Sequence, residues 1–355
     1  MDAAWSKFLE VLDRVTAPFL SVGSMFSLSS LACALGIAIA LMAWRLRSRR
    51  RRIRLRVILR ALFPRRITFH ASTGVDVSYL IFNTFIFGAM FSWALFSFRA
   101  ISNGTINVLT SALGTPAATT LPEFATRAAL TVVLFLAYEI CYWLHHYLCH
   151  RVPFLWEFHK VHHSANVLTP ITVFRVHPVD TWLFANMMSA VVGAANGVAN
   201  YAIGVTVYQY MLTDTNLILV VFIHVYIHFQ HSHLWIAFRG LAGRILLSPA
   251  HHQVHHSANP AHFNKNLGSC LAVWDWMFGT LHVPAKAPER LNFGVEAGGR
   301  DIQTITEAYL ASFPRAAQSM RGSPRPAASI DPDPTGERLA AEDLAAIDLA
   351  PVRQS

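Results

Sequence analysis

The stretch ALTVVLFLAYEICYWLHHYLCH, residues 129–150, combines the two features that organise this chain. It is apolar over about the 20 residues that a helix needs to cross a bilayer. Its end carries His146 and His150, which are four positions apart and therefore share one face of a helix. The pattern predicts a transmembrane helix that delivers two imidazoles to one end.

The composition outside this stretch also indicates lipid as the solvent. Of the 355 residues, 54% are hydrophobic and 14% are charged, whereas soluble domains are about one quarter charged. Further apolar runs cover residues 19–44, 77–98 and 182–228, and the last is long enough for two crossings. Its middle, GAANGVANYAIG at 193–204, is rich in Gly and Asn and predicts a hairpin or re-entrant turn at that point.

Basic residues are concentrated in one segment of a chain whose net charge is +9. Residues 45–56, RLRSRRRRIRLR, contain eight arginines, and Arg60, Arg65 and Arg66 follow. The run adjoins a long apolar segment and is accompanied by no nucleic-acid recognition motif. It therefore predicts the cytoplasmic side of a membrane and contact with anionic headgroups, rather than nucleic-acid binding.

This orientation leads to a prediction about the histidines. If residues 45–66 are cytoplasmic, the apolar helix before them runs into the cell, the second runs outward and the third runs inward again. The third helix therefore ends on the cytoplasmic side, with His146 and His150. A hairpin over residues 182–228 that leaves and returns to that side brings His228 and His231 there as well. The sequence thus predicts an all-α fold, a multi-spanning transmembrane helical domain with a histidine-cluster cap on the cytoplasmic side, in a membrane such as the bacterial inner membrane.

The histidines themselves form three spaced groups. Sixteen of the 18 lie between His145 and His262. Positions i, i+3 and i+4 share a helix face, and a dense cluster of ionisable groups beside hydrocarbon is costly unless it binds a ligand. Neutral imidazoles bind iron, zinc or copper, so eight of them predict two metal ions with several nitrogen ligands each. The groups are H-x-x-x-H at His146 and His150, H-x-x-H-H at His159, His162 and His163, and H-x-x-H-H at His252, His255 and His256.

A fourth segment, VFIHVYIHFQHSHLWI, adds further candidates. His224, His228 and His231 fall at i, i+4 and i+7, which predicts one stripe of a returning helix with His231 nearest the interface. We include His228 and His231 among the metal ligands. The spacing leaves open the roles of five other histidines, which are His145, His177, His224, His233 and His251. The absence of an H-E-x-x-H motif argues against a membrane metalloprotease.

These residues resemble the fatty acid hydroxylase and sterol desaturase superfamily of integral membrane di-iron proteins. The likeness covers about residues 129–282 and includes LWEFHKVHHSANVLTPITVFRVHPVD at 155–180, SPAHHQVHHS at 248–257 and NLGSCLAVWDWMFGTL at 266–281. Where many relatives have His-Ser-Asn, this chain has His231-Ser232-His233. The R-x-H-P at Arg175–Pro178 also resembles a family feature.

The resemblance implies an enzyme whose metal ligands are the histidines named above, with two non-haem iron ions and O2 as co-substrate. It implies hydroxylation, or alternatively desaturation, of an unactivated C–H bond in a lipid such as a sterol or hopanoid, a fatty acyl chain or an alkylglycerol. No acid, base or nucleophile beyond the ligands, and no organic cofactor, is expected. The rival hypothesis is a membrane protein that binds or transports zinc or copper.

The chain is expected to divide into three parts. Residues 1–76 are predicted to hold the first transmembrane helix and the Arg-rich segment, residues 77–288 the di-iron domain, and residues 289–355 a Pro-rich, largely disordered tail. The sequence shows no dinucleotide-binding fingerprint, so electrons must come from an external donor, a ferredoxin or a cytochrome b5-like protein with its reductase. One metal cluster also requires the imidazoles of His163 and His256 to lie within about 20 Å of each other, given metal–nitrogen bonds of about 2 Å.

Overall fold

The computed structural model describes residues 2–90, 96–295 and 304–321, and these parts of the chain are mostly helical. One antiparallel pair of two-residue strands and two short 3-10 helices, Pro170–Phe174 and Pro260–His262, complete the secondary structure there. The elements are α1 (Asp2–Leu20), α2 (Leu28–Ser48), α3 (Leu55–Leu62), α4 (Arg65–Thr68), α5 (Ala71–Met90), α6 (Phe98–Leu113), α7 (Glu123–Arg151), α8 (Pro153–His163), α9 (Pro178–Ile203), β1 (Met211–Leu212), β2 (Thr215–Asn216), α10 (Leu217–Val225), α11 (Ile227–Gln230), α12 (Gly240–Ile245), α13 (Pro249–His255), α14 (Val273–Met277) and α15 (Ile305–Met320).

Three of these helices, α2, α7 and α9, are long and apolar enough to span a membrane. They confirm the prediction of a helical protein with several apolar spans. Helix α7 contains the stretch at 129–150 and carries His146 and His150 in its last two turns. The span predicted at 77–98 coincides with α5 only as far as Met90, and residues 91–95 lie outside the described residues.

The two ends of the bundle are distinguished by their contacts. At one end the Gly23 amide donates to Thr213 Oγ1 at 2.7 Å, near the turn between β1 and β2. At the other end Arg45 Nη2 donates to the Trp235 carbonyl at 2.9 Å, four residues after His231. The Arg-rich segment and the histidine segment therefore share one end of the molecule, as the sequence predicted.

The prediction of a turn at 193–204 is wrong for most of that segment, because α9 continues through it to Ile203. The glycines serve close helix packing instead. A Cβ on Gly193 would lie 2.9 Å from the Phe98 carbonyl oxygen, and one on Gly197 would lie 2.6 Å from that of Ser102, so only glycine lets α6 approach so closely. The chain turns at Gly204, whose φ of +76° favours glycine.

The predicted stripe of His224, His228 and His231 on a single helix is also wrong. Helix α10 ends at Val225, and Tyr226, with φ −148° and ψ −8°, interrupts it before the one-turn helix α11 begins. The Tyr226 hydroxyl donates to the Cys270 carbonyl at 3.0 Å, which helps hold this break. The three histidines therefore point in directions that helical periodicity does not predict.

Part of the predicted tail belongs to the fold. Helix α15 packs against α8 and α5, and the Tyr309 hydroxyl donates to Asn83 Oδ1 at 2.7 Å. The Tyr309 carbonyl accepts a hydrogen bond from His177 Nε2 at 3.3 Å. Residues 322–355, which carry most of the Pro-rich stretch, lie outside the described residues.

Candidate metal centre

Four segments bring histidines to one end of the bundle: the end of α7, helix α8, the loop after α11, and helix α13. Residues at the N-termini of α8 and α13 favour the start of a helix. Pro153 and Pro249 occupy the first helical positions, where the missing amide proton costs little. Ser248 and His251 form a reciprocal capping box at the start of α13. Both H-x-x-H-H groups lie on helical turns, as predicted.

The first cluster, here called the five-histidine group, comprises His146, His150, His159, His163 and His255. Their potential ligand atoms all lie within 4.8 Å of one another. Each of the five Nε2 atoms is buried and has no hydrogen-bond partner in the described part of the chain. Burying five such atoms together is unfavourable unless a cation binds them, so the group fits a metal ion.

Hydrogen bonds from Nδ1 orient three of the five rings in this group. The Nδ1 atoms of His146 and His255 donate to the carbonyls of Leu267 and Lys265, each at 2.8 Å. His159 Nδ1 donates to Asp180 Oδ2 at 2.9 Å. A proton on Nδ1 leaves a lone pair on Nε2 that is directed into the group. Such contacts orient a metal-binding imidazole and raise its basicity.

The second cluster, the four-histidine group, comprises His162, His231, His252 and His256. His231 Nε2 lies 3.2, 2.9 and 3.1 Å from the Nε2 atoms of His162, His252 and His256, in that order. His162 Nδ1 donates to the Arg175 carbonyl at 3.3 Å, so its Nε2 carries a lone pair. Four nitrogens bound at 2.0–2.1 Å around a tetrahedral ion lie about 3.3 Å apart, close to the spacing found here.

The two groups are adjacent to each other. The ring centroids of His163 and His256 are 4.6 Å apart, which confirms the predicted convergence. Burial lowers the pKa of His231 and of His255 to about 3, because the charged form loses its hydration. Both side chains are therefore uncharged near pH 7, the form that binds metals. The residues present fit two metal ions.

The structure brings nine of the ten predicted ligands together and places His228 elsewhere. His228 Nε2 lies 3.3 Å from Ser30 Oγ, and its ring meets Phe26 edge-on. The break at Tyr226 turns it away from His231. His231 therefore lies in a candidate metal-binding group, and His228 lies outside both groups.

The histidines with open roles make other contacts. His177 caps α9 by accepting the Val179 amide proton, and His251 Nε2 donates to the Gly243 carbonyl. His224 Nε2 lies 3.2 Å from Ser29 Oγ. His233 Nε2 donates to the Ala61 carbonyl at 2.8 Å.

Sequence reasoning missed the residues that support the ligands. Asp180 accepts from His145 Nε2 at 2.8 Å with one oxygen and from His159 with the other, at the first turn of α9. In the sequence, Asp180 is marked only by its position two residues after His177-Pro178. The supporting carbonyls of Leu267, Lys265 and Arg175 have no side-chain signature, because every residue has a carbonyl.

Two buried carboxylates position the loop that carries one of these carbonyls. Asp275 accepts the amide protons of Leu267 and Gly268, both at 2.8 Å. Glu139 Oε2, on α7, accepts those of Cys270 and Leu271 at 3.1 and 2.7 Å. The loop is thereby fixed between α7 and α14, beside His146.

Comparison with known proteins agrees with this site. Residues 131–280 match the sequence model of the family Fatty acid hydroxylase. Over these residues the chain is similar to the fatty acid hydroxylase superfamily. The matched region contains all nine clustered histidines. No solved structure matches the chain.

The curated proteins that match this region have names that refer to lipids. The chain is 28% identical to the alkylglycerol monooxygenase of Danio rerio over 150 residues, which are 41% of this chain and 29% of that protein. It is 30% identical to the ornithine lipid hydroxylase OlsE of Rhizobium tropici over 161 residues, 44% of this chain and 43% of that protein. The chain thus spans less than half the length of the curated relatives it matches.

Proposed function

We propose that this chain is a membrane-bound, O2-dependent hydroxylase of a lipid C–H bond, with two iron ions held by the nine clustered histidines. The observation that carries the proposal is the convergence of nine buried imidazoles in two adjacent groups. Bound iron would supply reductive activation of O2 and abstraction of hydrogen from an unactivated C–H bond. Hydroxylation is favoured over desaturation because the relatives named above are a monooxygenase and a hydroxylase.

The chain's own residues hold and shield the metals. Asp180 and the carbonyls of Leu267 and Lys265 keep three imidazoles oriented with Nε2 toward the ion. The imidazoles are buried, so the protein limits the access of water to the ions. Electrons would come from an external donor, a ferredoxin or a cytochrome b5-like protein with its reductase.

The rival, a protein that binds or transports zinc or copper, fits the geometry less well. A transport pathway would distribute its ligands across the thickness of the bilayer, whereas these histidines gather at one end of the bundle. Iron, zinc and copper all accept imidazole, so the metal must be measured.

The deciding experiment combines metal analysis with isotope incorporation. Protein purified from membranes is analysed for iron, zinc and copper, and is then incubated with lipid extract, a reducing system and 18O2. About two irons per chain and 18O in a lipid alcohol are expected. A protein that holds zinc alone and transfers no 18O would contradict the proposal. The His255→Ala variant is the matched inactive control.

The substrate we propose is a membrane lipid such as an alkylglycerol, a fatty acyl lipid, or a sterol or hopanoid. The substrate names of the relatives, alkylglycerol and ornithine lipid, support a lipid of this kind. Lipidomics of a deletion strain against its parent would identify it, because the substrate accumulates and the hydroxylated product disappears. An unchanged lipid profile under oxygen would argue against a lipid substrate.

We further propose that the histidine end faces the cytoplasm. The eleven arginines at residues 45–66 support this orientation, since basic residues favour that side. A reporter fused after Arg66 and another at Ser164 should both give cytoplasmic signals. A periplasmic signal at either position would refute the orientation.

A further inference from the structure

Helix α3, in the Arg-rich segment, presents an apolar strip to its surroundings. Leu55 and Leu59 of this helix, and Phe63 directly after its last residue, follow each other at intervals of four residues and are 60%, 40% and 54% exposed. Residues at this spacing lie in one row along a helix. Arg56 and Arg60 are exposed beside the strip. An apolar row flanked by arginines is typical of a helix that lies in the plane of a membrane interface.

The position and charge of α3 identify the surface that it meets. It begins seven residues after Ser48, the end of the candidate membrane span α2. Residues 45–66 contain eleven arginines and no Asp or Glu. An anionic bilayer surface accounts for both the apolar strip and the arginines, because acyl chains can pack against the strip and headgroup phosphates can pair with the arginines. An acidic protein would pair with the arginines but would leave the exposed leucines in water.

The opposite face of α3 packs behind the segment that carries His231. Ile58 and Ala61 are buried in one cluster with Phe229 and Leu234, which lie two residues before and three residues after that histidine. The Ala61 carbonyl also accepts the hydrogen bond from His233. A displacement of α3 would therefore reach the His231 loop through this shared cluster and through the His233–Ala61 hydrogen bond.

We propose that α3 is an interfacial helix that binds anionic phospholipid, and that this binding holds the His231 loop in its metal-binding position. The proposed lipid contact depends only on α3 and its arginines, and not on the metal function. The effect on the metal rests on the proposed function, because it requires His231 to be a ligand. His233 has the positioning role in this arrangement, since it joins the helix to the loop.

The lipid contact is tested without reference to metal. Full-length protein is placed in bilayers that contain spin-labelled phosphatidylglycerol or spin-labelled phosphatidylcholine, and the motionally restricted fraction is measured. Wild-type protein should restrict more phosphatidylglycerol, and the Arg56→Gln/Arg60→Gln double variant should lose part of this preference. The Arg239→Gln/Arg290→Gln variant removes the same charge from exposed positions elsewhere and should keep the preference.

The coupling is tested by the rate at which a chelator removes metal from protein in nanodiscs. Addition of phosphatidylglycerol to phosphatidylcholine should slow the loss about tenfold, the scale expected for a contact that supports a ligand. His233→Ala should keep the lipid preference and lose this slowing. Equal restriction of both lipids by wild type overturns the lipid contact, and equal chelation rates in both nanodiscs overturn the coupling.

Two further outcomes are informative. A protein that binds no metal but prefers phosphatidylglycerol would contradict the proposed function and leave the lipid contact supported. If no lipid preference exists and the Arg56→Gln/Arg60→Gln variant instead weakens reduction by an acidic ferredoxin, the arginines serve a protein partner and the lipid proposal is wrong.

Discussion

The five-histidine group and the four-histidine group differ in the hydrogen bonds that their Nδ1 atoms make. In the first, Asp180 and two backbone carbonyls accept Nδ1 protons at 2.8–2.9 Å. In the second, His162 has a longer contact of 3.3 Å to the Arg175 carbonyl. The buried Nδ1 of His252 has no hydrogen-bond partner among the described residues.

This difference teaches that the two groups are preorganised in different ways. The five-histidine group is oriented by surrounding protein, including a carboxylate that would add negative charge close to a bound ion. The four-histidine group places His231 Nε2 within 2.9–3.2 Å of the other three Nε2 atoms, and a bound cation would stabilise these contacts. The first site should therefore respond to changes behind the ligands, and the second mainly to changes of the ligands themselves.

Loss of a ligand should have the largest effect in both groups. His255→Ala opens the five-histidine group and His162→Ala opens the four-histidine group, so each variant should lose about one metal ion per chain and abolish oxygenation. Metal analysis and Mössbauer spectra of 57Fe-loaded protein measure this. The His282→Ala variant, outside both groups, should retain both ions. Full activity in both ligand variants would break the assignment.

Neutralising Asp180 should affect one group only. Asp180→Asn replaces the carboxylate that accepts from His159 with an amide, which should weaken metal binding by the five-histidine group about 10–100-fold. Metal titration against a competing chelator measures the affinity, and the Mössbauer signal of the other site should not change. His145→Gln removes the other partner of Asp180 and should have a smaller effect. Equal weakening of both sites would refute the comparison.

Displacing the Leu267 carbonyl should have a moderate effect. A Cβ on Gly268 would lie 2.3 Å from the Leu271 carbonyl oxygen, so Gly268→Ala must shift the loop that supports His146. We expect a loss of about 1–3 kcal/mol in the free energy of unfolding. Thermal or denaturant unfolding in detergent measures it. Gly104→Ala is the matched control, because a Cβ there meets no atom within 4 Å.

Removing His228 should have the smallest effect. His228→Ala deletes a contact to Ser30 and leaves both groups intact, so both metal ions should remain and stability should change by about 1 kcal/mol. Metal content is again the measurement. His231→Ala, three residues later, should lose metal. If His228→Ala also released an ion, the boundary drawn around the four-histidine group would be wrong.

Helical spacing was a sound guide where one helix runs without a break. It placed His146 and His150 on one face of α7, and it placed the histidines of α8 and α13 on helical turns. It failed for His224, His228 and His231, because Tyr226 interrupts the helix between them. The turn predicted from the Gly and Asn content of residues 193–204 was wrong for a different reason, because a glycine serves a turn and a close helix contact equally well.

The sequence by itself determined the chemistry of the site: a helical membrane protein with three histidine groups at spacings that suit metal binding. Only the tertiary structure decided how nine histidines divide into five and four, and what supports each ring. The physical reason is that ligand types are side-chain properties, which the sequence states directly. Their supports are mostly backbone carbonyls such as those of Leu267 and Lys265, and these acquire a role only when the chain brings them within hydrogen-bonding distance.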